Sequence, residues 1–209
     1  MRIFDLKSAR LRNCFRSLGV FFCLLFLRLP VFSFVFSYSS RKKVKVYEND
    51  FALLCNWDCG HYRELAKDYS FGNAFFPLFP NISRVVSQIS DLGVQTSLIA
   101  TSFAFSLLSS WLALVFMDTC FKSKGRQFLG YSYRAWIFVV LLMCYPRALV
   151  FIFGYPESLF LCLLFLSLIA WYKNKIFWSA GLIGLTAVTR AQGIWLAAVL
   201  GIFWFVSEI

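Results

Sequence analysis

The sequence predicts an all-α integral membrane protein: a polytopic helical bundle of about 5–6 transmembrane segments, with a long first outer loop holding interfacial helices. Three observations lead there. Of 209 residues, 60% are apolar and only 15% are charged, against about 25% charged in an average soluble domain. Aromatic residues make up 20%, with 26 Phe. Several apolar runs approach the length of about 20 residues that an α-helix needs to cross a bilayer. Together these argue against an ordinary soluble domain, a disordered chain and a disulfide-dense secreted module.

The chain reads as one membrane domain, 1–209. Residues 1–17 form a basic cytoplasmic N-terminus, 39–92 the outer loop and 93–209 the bundle. The first apolar run, Leu18 to Tyr38, follows Arg2, Lys7, Arg10, Arg12 and Arg16 and reads as a signal anchor. The second run spans Gly93 to Met117, the third Ala135 to Phe153 and the fourth Pro156 to Tyr172. The last, Ile176 to Val206, is interrupted at Thr189 to Gly193 and is too short for two full spans. It reads as two short tilted helices or one broken helix. With the N-terminus inside, Lys122, Lys124, Arg126 and Arg134 of the second loop and Lys173 and Lys175 also fall inside, as the positive-inside rule requires.

The net charge of +11, with 21 Lys+Arg against 10 Asp+Glu, fits basic loops facing anionic lipid. No basic-aromatic groove pattern accompanies it, which argues against nucleic acid. Seven cysteines at irregular spacing form no disulfide framework. Cys55, Cys59 and His61 imitate a metal site but lack a fourth ligand. A Cys55–Cys59 bridge is disfavoured, because i,i+4 on a helix is a poor geometry for it.

With this orientation, the polar groups that look out of place near a membrane fall on the outer side. The loop around Trp57-Asp58 reads as a short helix bearing Trp57, His61, Leu65 and Tyr62 on one side. Ile82, Val85, Val86 and Ile89 follow the spacing of a second, surface-lying helix. Asp58, beside Trp57, has the setting of a general base acting on a hydroxyl; it equally suits a helix cap. Glu157 follows Tyr155-Pro156 at a helix start, where an acid is also structurally ordinary. Arg190 lies between two apolar halves, where an ionisable group either does chemistry or snorkels to the headgroups. Arg147, after Pro146, is a similar candidate. Arg28, ahead of Pro30 in the first run, is a weaker one. Asn81-Ile82-Ser83 is a short glycosylation sequon.

Trp57-Asp58, Tyr62, Ala66, Tyr69 and the Phe75-Phe76-Pro77-Leu78-Phe79-Pro80 run, then Pro146 with Tyr155-Pro156-Glu157-Ser158, then Thr189-Arg190-Ala191-Gln192-Gly193, resemble in order and spacing the PIG-V family. These are the second GPI mannosyltransferase and its bacterial relatives, within the GT-C class of polytopic glycosyltransferases. The likeness covers roughly residues 50–195, the N-terminal portion of longer family members. Pro156 stands where Ser or Thr is usual, and Asp68 where a Gly usually precedes the Tyr.

The resemblance implies transfer of mannose from a dolichyl- or polyprenyl-phosphate donor to a glycolipid (GPI-like) or other acceptor, with inversion at the outer face. It implies Asp58 as the catalytic residue, and Trp57, Tyr62, Tyr155, Glu157, Arg190 and Arg147 as substrate- or donor-binding candidates. No cofactor is required by anything the residues show, no residue is assigned to a metal, and a divalent ion is left open. The expected partners are membrane lipids, the lipid-linked donor, the acceptor and a possible partner subunit. The expected membrane is the endoplasmic reticulum in a eukaryote or the inner membrane in a bacterium. The competing readings are an inactive or truncated homologue serving as an assembly subunit, and a lipid or sugar transporter. A transporter places its ionisable groups near the midplane, whereas these group at one face.

Overall fold

The structure, a computed structural model, describes residues 16–29, 33, 55, 58–68, 76–121, 127–151 and 153–207. It is helical almost throughout. In chain order the elements are α1 (16–29), α2 (Asp58–Lys67), α3 (Leu78–Ser90), α4 (Val94–Phe121), a hairpin of β1 (Gln127–Phe128) and β2 (Tyr131–Ser132), α5 (Tyr133–Cys144), a 3₁₀ helix (Pro146–Phe151), α6 (Glu157–Tyr172), α7 (Ile176–Thr189) and α8 (Gln192–Ser207).

Among the described residues one helix, α4, is long and apolar enough to cross a membrane. At 28 residues it spans about 42 Å, more than a bilayer core of about 30 Å. The other apolar helices are short, as the fourth run and the interrupted last run suggest. α6 and α8 have 16 residues and α7 has 14, or about 21–24 Å at 1.5 Å per residue. The expected third span, Ala135 to Phe153, is not continuous. It breaks at Tyr145, whose backbone is extended (φ −60°, ψ 139°). Pro146 is the cause: it has no N–H to donate, and its ring drives the preceding residue out of the helical region. The two-residue hairpin was not anticipated. Leu129 and Gly130 both take positive φ (49° and 80°), the turn geometry whose twist matches an antiparallel pair.

α4 is the central element, touching α2, α3, α5 and α6, while α6 lies between α4 and α7. Directions follow from the side-chain bonds. Ser102 meets Ser158 at 3.3 Å, and Cys162 donates to the Phe105 carbonyl at 3.1 Å. Both sequence numbers rise together, so α4 and α6 run parallel. Ser179 donates to the Ser167 carbonyl at 2.9 Å, and Arg190 pairs with Glu157, so α7 runs antiparallel to α6.

Two apolar clusters result. One joins α1, the C-terminal half of α4, α5 and Phe165. The other joins Cys59, Tyr62, Leu65, Phe79, Leu98, Tyr155, Leu159 and Leu163, at the opposite end. Buried serines line α4 (Ser97, Ser102, Ser106, Ser109, Ser110), their hydroxyls turned largely onto carbonyls of their own or neighbouring helices. Such small residues let backbones approach closely. Arg28 also departs from expectation: it lies within helical α1 and is 1% exposed, beside Ser110, Met143 and the Phe151 ring.

The two ends differ in composition. Asp58, Glu157 and Arg190 fall at the α2 end; the hairpin and Lys173 to Lys175 fall at the other. If α4 crosses the membrane, Ser90→Cys should react with an impermeant maleimide on sealed vesicles presenting the outer face. Lys173→Cys should react only after permeabilisation. The reverse pattern inverts the orientation, and equal reactivity of both without permeabilisation removes the span.

Candidate functional site

The site is built from three short segments far apart in sequence. The first is the start of α2. Its buried side is Cys59, Tyr62, Leu65 and Ala66, spaced three and four residues apart, so this face packs inward. His61, expected on that face, is exposed. Tyr62 is held edge-on against Phe79 of α3, ring centroids 5.8 Å apart. Phe79, in the first turn of α3, is fully buried, which absorbs part of the aromatic run that ends at Pro80. On α3 itself Val85 and Ile89 stay exposed, consistent with a helix lying on a surface. Asp58 opens α2 with its side chain exposed, where its charge also suits the positive end of the helix dipole. Trp57, expected to bind donor, lies outside the described residues.

The second segment is the turn into α6. Gly154 takes φ +64°, a conformation that L side chains rarely adopt. This turn brings Tyr155 inward (8% exposed) and places Pro156 and Glu157 at the helix start. Ser102 of α4 holds it, at 3.1 Å from the Tyr155 carbonyl, 3.2 Å from the Phe151 carbonyl and 3.3 Å from the Ser158 hydroxyl.

The third segment is the break between α7 and α8. Arg190 leaves the helix in extended backbone (φ −156°, ψ 151°), with its N–H still donating to the Thr186 carbonyl at 3.0 Å. Its guanidinium donates to Glu157 Oε1 through Nη1 and to Gln192 Oε1 through Nε at 3.1 Å. The pair is half-buried. Oε2 of Glu157 is buried and has no hydrogen-bond partner among the described residues.

Electrostatics tie the three segments together. Burial pushes the Tyr62 hydroxyl up to about 12; Glu157, Asp58 and Tyr155 push it the same way and Arg190 opposes them. Burial also pushes Tyr155 up to about 12, with help from Asp58 and Glu157. Both phenols therefore stay protonated at neutral pH and can donate hydrogen bonds. Asp58, Tyr62, Tyr155, Glu157 and Arg190 thus act on one another, although they come from three elements. Arg147 lies in the 3₁₀ helix, and its side chain lies outside the described residues.

Sequence reasoning missed several supporting residues. Gln192 orients Arg190, and its position two residues further on was the available signal. Ser102 sits mid-helix and carries no local signal. The largest correction concerns cysteine. Cys55 and Cys59 are disulfide-bonded, with Cα atoms 5.0 Å apart. The objection from helix geometry fails because Cys55 precedes α2 and occupies a bend. The bond also removes both sulfurs from the imagined metal trio, and no group of three metal-capable side chains occurs among the described residues.

Gly193 fixes the approach of α8 to α7. A Cβ there would lie 2.3 Å from the Thr186 carbonyl carbon and 2.4 Å from the Ala187 nitrogen, both backbone atoms. Gly193→Ala must therefore move the helix start that carries Gln192. A destabilisation of about 1–3 kcal/mol is expected, read as a lower Tm of the detergent-solubilised chain. An unchanged Tm would show that the two helices separate at no cost.

Comparison with protein-family models, with curated proteins and with solved structures returns no match.

Proposed function

We propose that the chain is a membrane mannosyltransferase of the GT-C kind. It moves mannose from a polyprenyl- or dolichyl-phosphate donor to a glycolipid acceptor, at the outer or luminal face of its membrane. The observation that carries this reading is the convergence of Asp58, Tyr62, Tyr155, Glu157 and Arg190 at one end of an apolar helical bundle. A lipid-phosphate donor presents its anomeric carbon at that level.

In this reading each group has a task. Asp58, exposed at the start of α2, takes the proton from the acceptor hydroxyl. The hydroxyl oxygen attacks the anomeric carbon as the bond to the lipid phosphate breaks, so the configuration inverts. The leaving phosphate needs a cation. A guanidinium has five N–H donors, so pairing with Glu157 and Gln192 leaves Arg190 with donors for phosphate oxygens. The protonated Tyr62 and Tyr155 hydroxyls, and the Glu157 oxygen that has no partner among the described residues, can hold sugar hydroxyls. Because the ionisable groups gather at one end, the arrangement suits interfacial chemistry better than passage through the midplane.

The test is direct. The full chain is reconstituted in liposomes with radiolabelled polyprenyl-phosphate mannose and a lipid extract as acceptor. Label should move into a new glycolipid. Donor that stays intact with every acceptor supplied would leave the chain a non-catalytic membrane subunit.

A further inference from the structure

We infer that the Cys55–Cys59 disulfide is a positioning device for the candidate site, so that the start of α2, which carries Asp58, is held against the Tyr155 turn only in the oxidised protein. The inference rests on the reading of this cluster as the site.

The bond closes a ring of five residues, Cys55-Asn56-Trp57-Asp58-Cys59. Asp58 is therefore a member of the ring, not a neighbour of it. The ring is anchored at one corner: Cys59 is fully buried in the cluster that includes Tyr62, Tyr155 and Leu98. Its sulfur lies against the turn that carries Tyr155. A Cβ on Gly154 would stand 2.8 Å from Cys59 Sγ and 3.4 Å from Leu98 Cβ. The sulfur thus fills the space that glycine leaves open, and Tyr155 and Glu157 follow directly in the chain.

The other half of the bond, Cys55, sits in the bend before α2. Helix starts fray, because the first four N–H groups lack helical partners. A covalent tie from the first turn to the residue three positions before the helix removes that freedom where Asp58 stands. Cys23, Cys120 and Cys162, by contrast, are free thiols elsewhere in the bundle. Disulfides persist in oxidising compartments, which matches the outer placement of this end.

Reduction is a balanced exchange. A dithiol donates two electrons and two protons; the Cys55–Cys59 bond breaks, two protein thiols form, and the reagent closes to its own disulfide. Freed from its tie, the start of α2 can leave the turn.

The experiment has two arms on the full chain in membranes. In the first, the protein is denatured in excess N-ethylmaleimide, then reduced and treated with a polyethylene-glycol maleimide. Two tags should appear in the unmutated chain and none in Cys55→Ala/Cys59→Ala. No tag in the unmutated chain overturns the inference. In the second arm, hydrogen exchange is followed before and after dithiothreitol. Exchange at 58–62 and 153–156 should quicken about tenfold, with 97–113 and 159–167 unchanged, and reoxidation should restore it. Unchanged exchange everywhere makes the bond a passive staple, and quickening everywhere makes it a support of the whole fold; either outcome overturns the positioning role. Neither arm needs activity. A chain that passes both but never consumes lipid-linked mannose defeats the proposed function and leaves the oxidised arrangement standing.

Discussion

Asp58→Asn is expected to lower mannosyl transfer by about 10²-fold or more, with the protein accumulating at the unmutated level. The substitution separates two roles that the position can serve. Asp58 is the first residue of α2 and its side chain is exposed. Asn supports a helix start about as well as Asp, so a purely structural acid survives the change. A base does not, because a neutral amide cannot accept the acceptor's proton at the reacting oxygen. The loss should lie in kcat more than in KM, since an interaction realised at the transition state is what disappears. Asp58→Glu keeps the carboxylate but displaces it by a methylene, and should retain more activity than Asn. Equal transfer by Asp58→Asn and the unmutated chain removes the catalytic role and leaves a helix start. The measurement is the initial rate with labelled donor in liposomes, normalised to protein by immunoblot.

The sequence and the structure agree where a local rule decides. The apolar run after Gly93 becomes α4 because no Pro interrupts it and its polar residues are mostly small serines and threonines. The breaks at Thr189 to Gly193 and at Lys173 to Lys175 fall where the apolar pattern stops. The pattern fails where a single residue overrides hydropathy. Pro146 sits inside a run of high hydropathy, and averaging over the run hides its missing N–H. The Cys55–Cys59 bond is hidden from the sequence for a related reason, since the exact start of α2 decides whether Cys55 is helical, and helix boundaries are not fixed by local pattern.

The candidate site shows the same division. Asp58, Glu157 and Arg190 stand out from the sequence because charged residues near a membrane are costly, whereas Tyr62 and Tyr155 enter only through the motif resemblance. Their mutual approach depends on tertiary contacts: the parallel packing of α4 and α6, the Ser102 bonds, and the space left by Gly154 and Gly193. Nothing in a one-dimensional pattern encodes those distances. Arg28 is the converse case. Its polarity was visible, but its burial came only from the packing of α1 against α4 and α5.

Arg190 carries the second large expected effect. Arg190→Lys should lower transfer about 10-fold and Arg190→Gln about 10²–10³-fold, the range for loss of a charge-stabilising donor at a developing anion. Glu157 and Gln192 hold the guanidinium from two sides, and the side chains of the ion pair are 30% and 23% exposed. Such a clamp orients a planar fork that can grip a phosphate through two N–H groups at once; an ammonium keeps the charge without the fork. Glu157→Gln supplies the cross-check. It removes the anion that orients Arg190, and also the oxygen that has no described partner, so it should lower transfer in its own right. The double variant Glu157→Gln/Arg190→Gln should then be less impaired than the two single effects multiplied, because both act through one arrangement. Thermal unfolding in detergent separates this from damage to the fold. Breaking a pair of this partial exposure should cost about 1–3 kcal/mol, and Glu157→Gln/Arg190→Gln, which leaves no lone charge, should cost less than Arg190→Gln. A snorkelling arginine gives a different pattern: Lys and Gln variants transfer at the unmutated rate, and the Glu157 substitution is additive with Arg190→Gln. Rates for the unmutated chain and the four variants, measured over a range of donor concentrations, decide between the two.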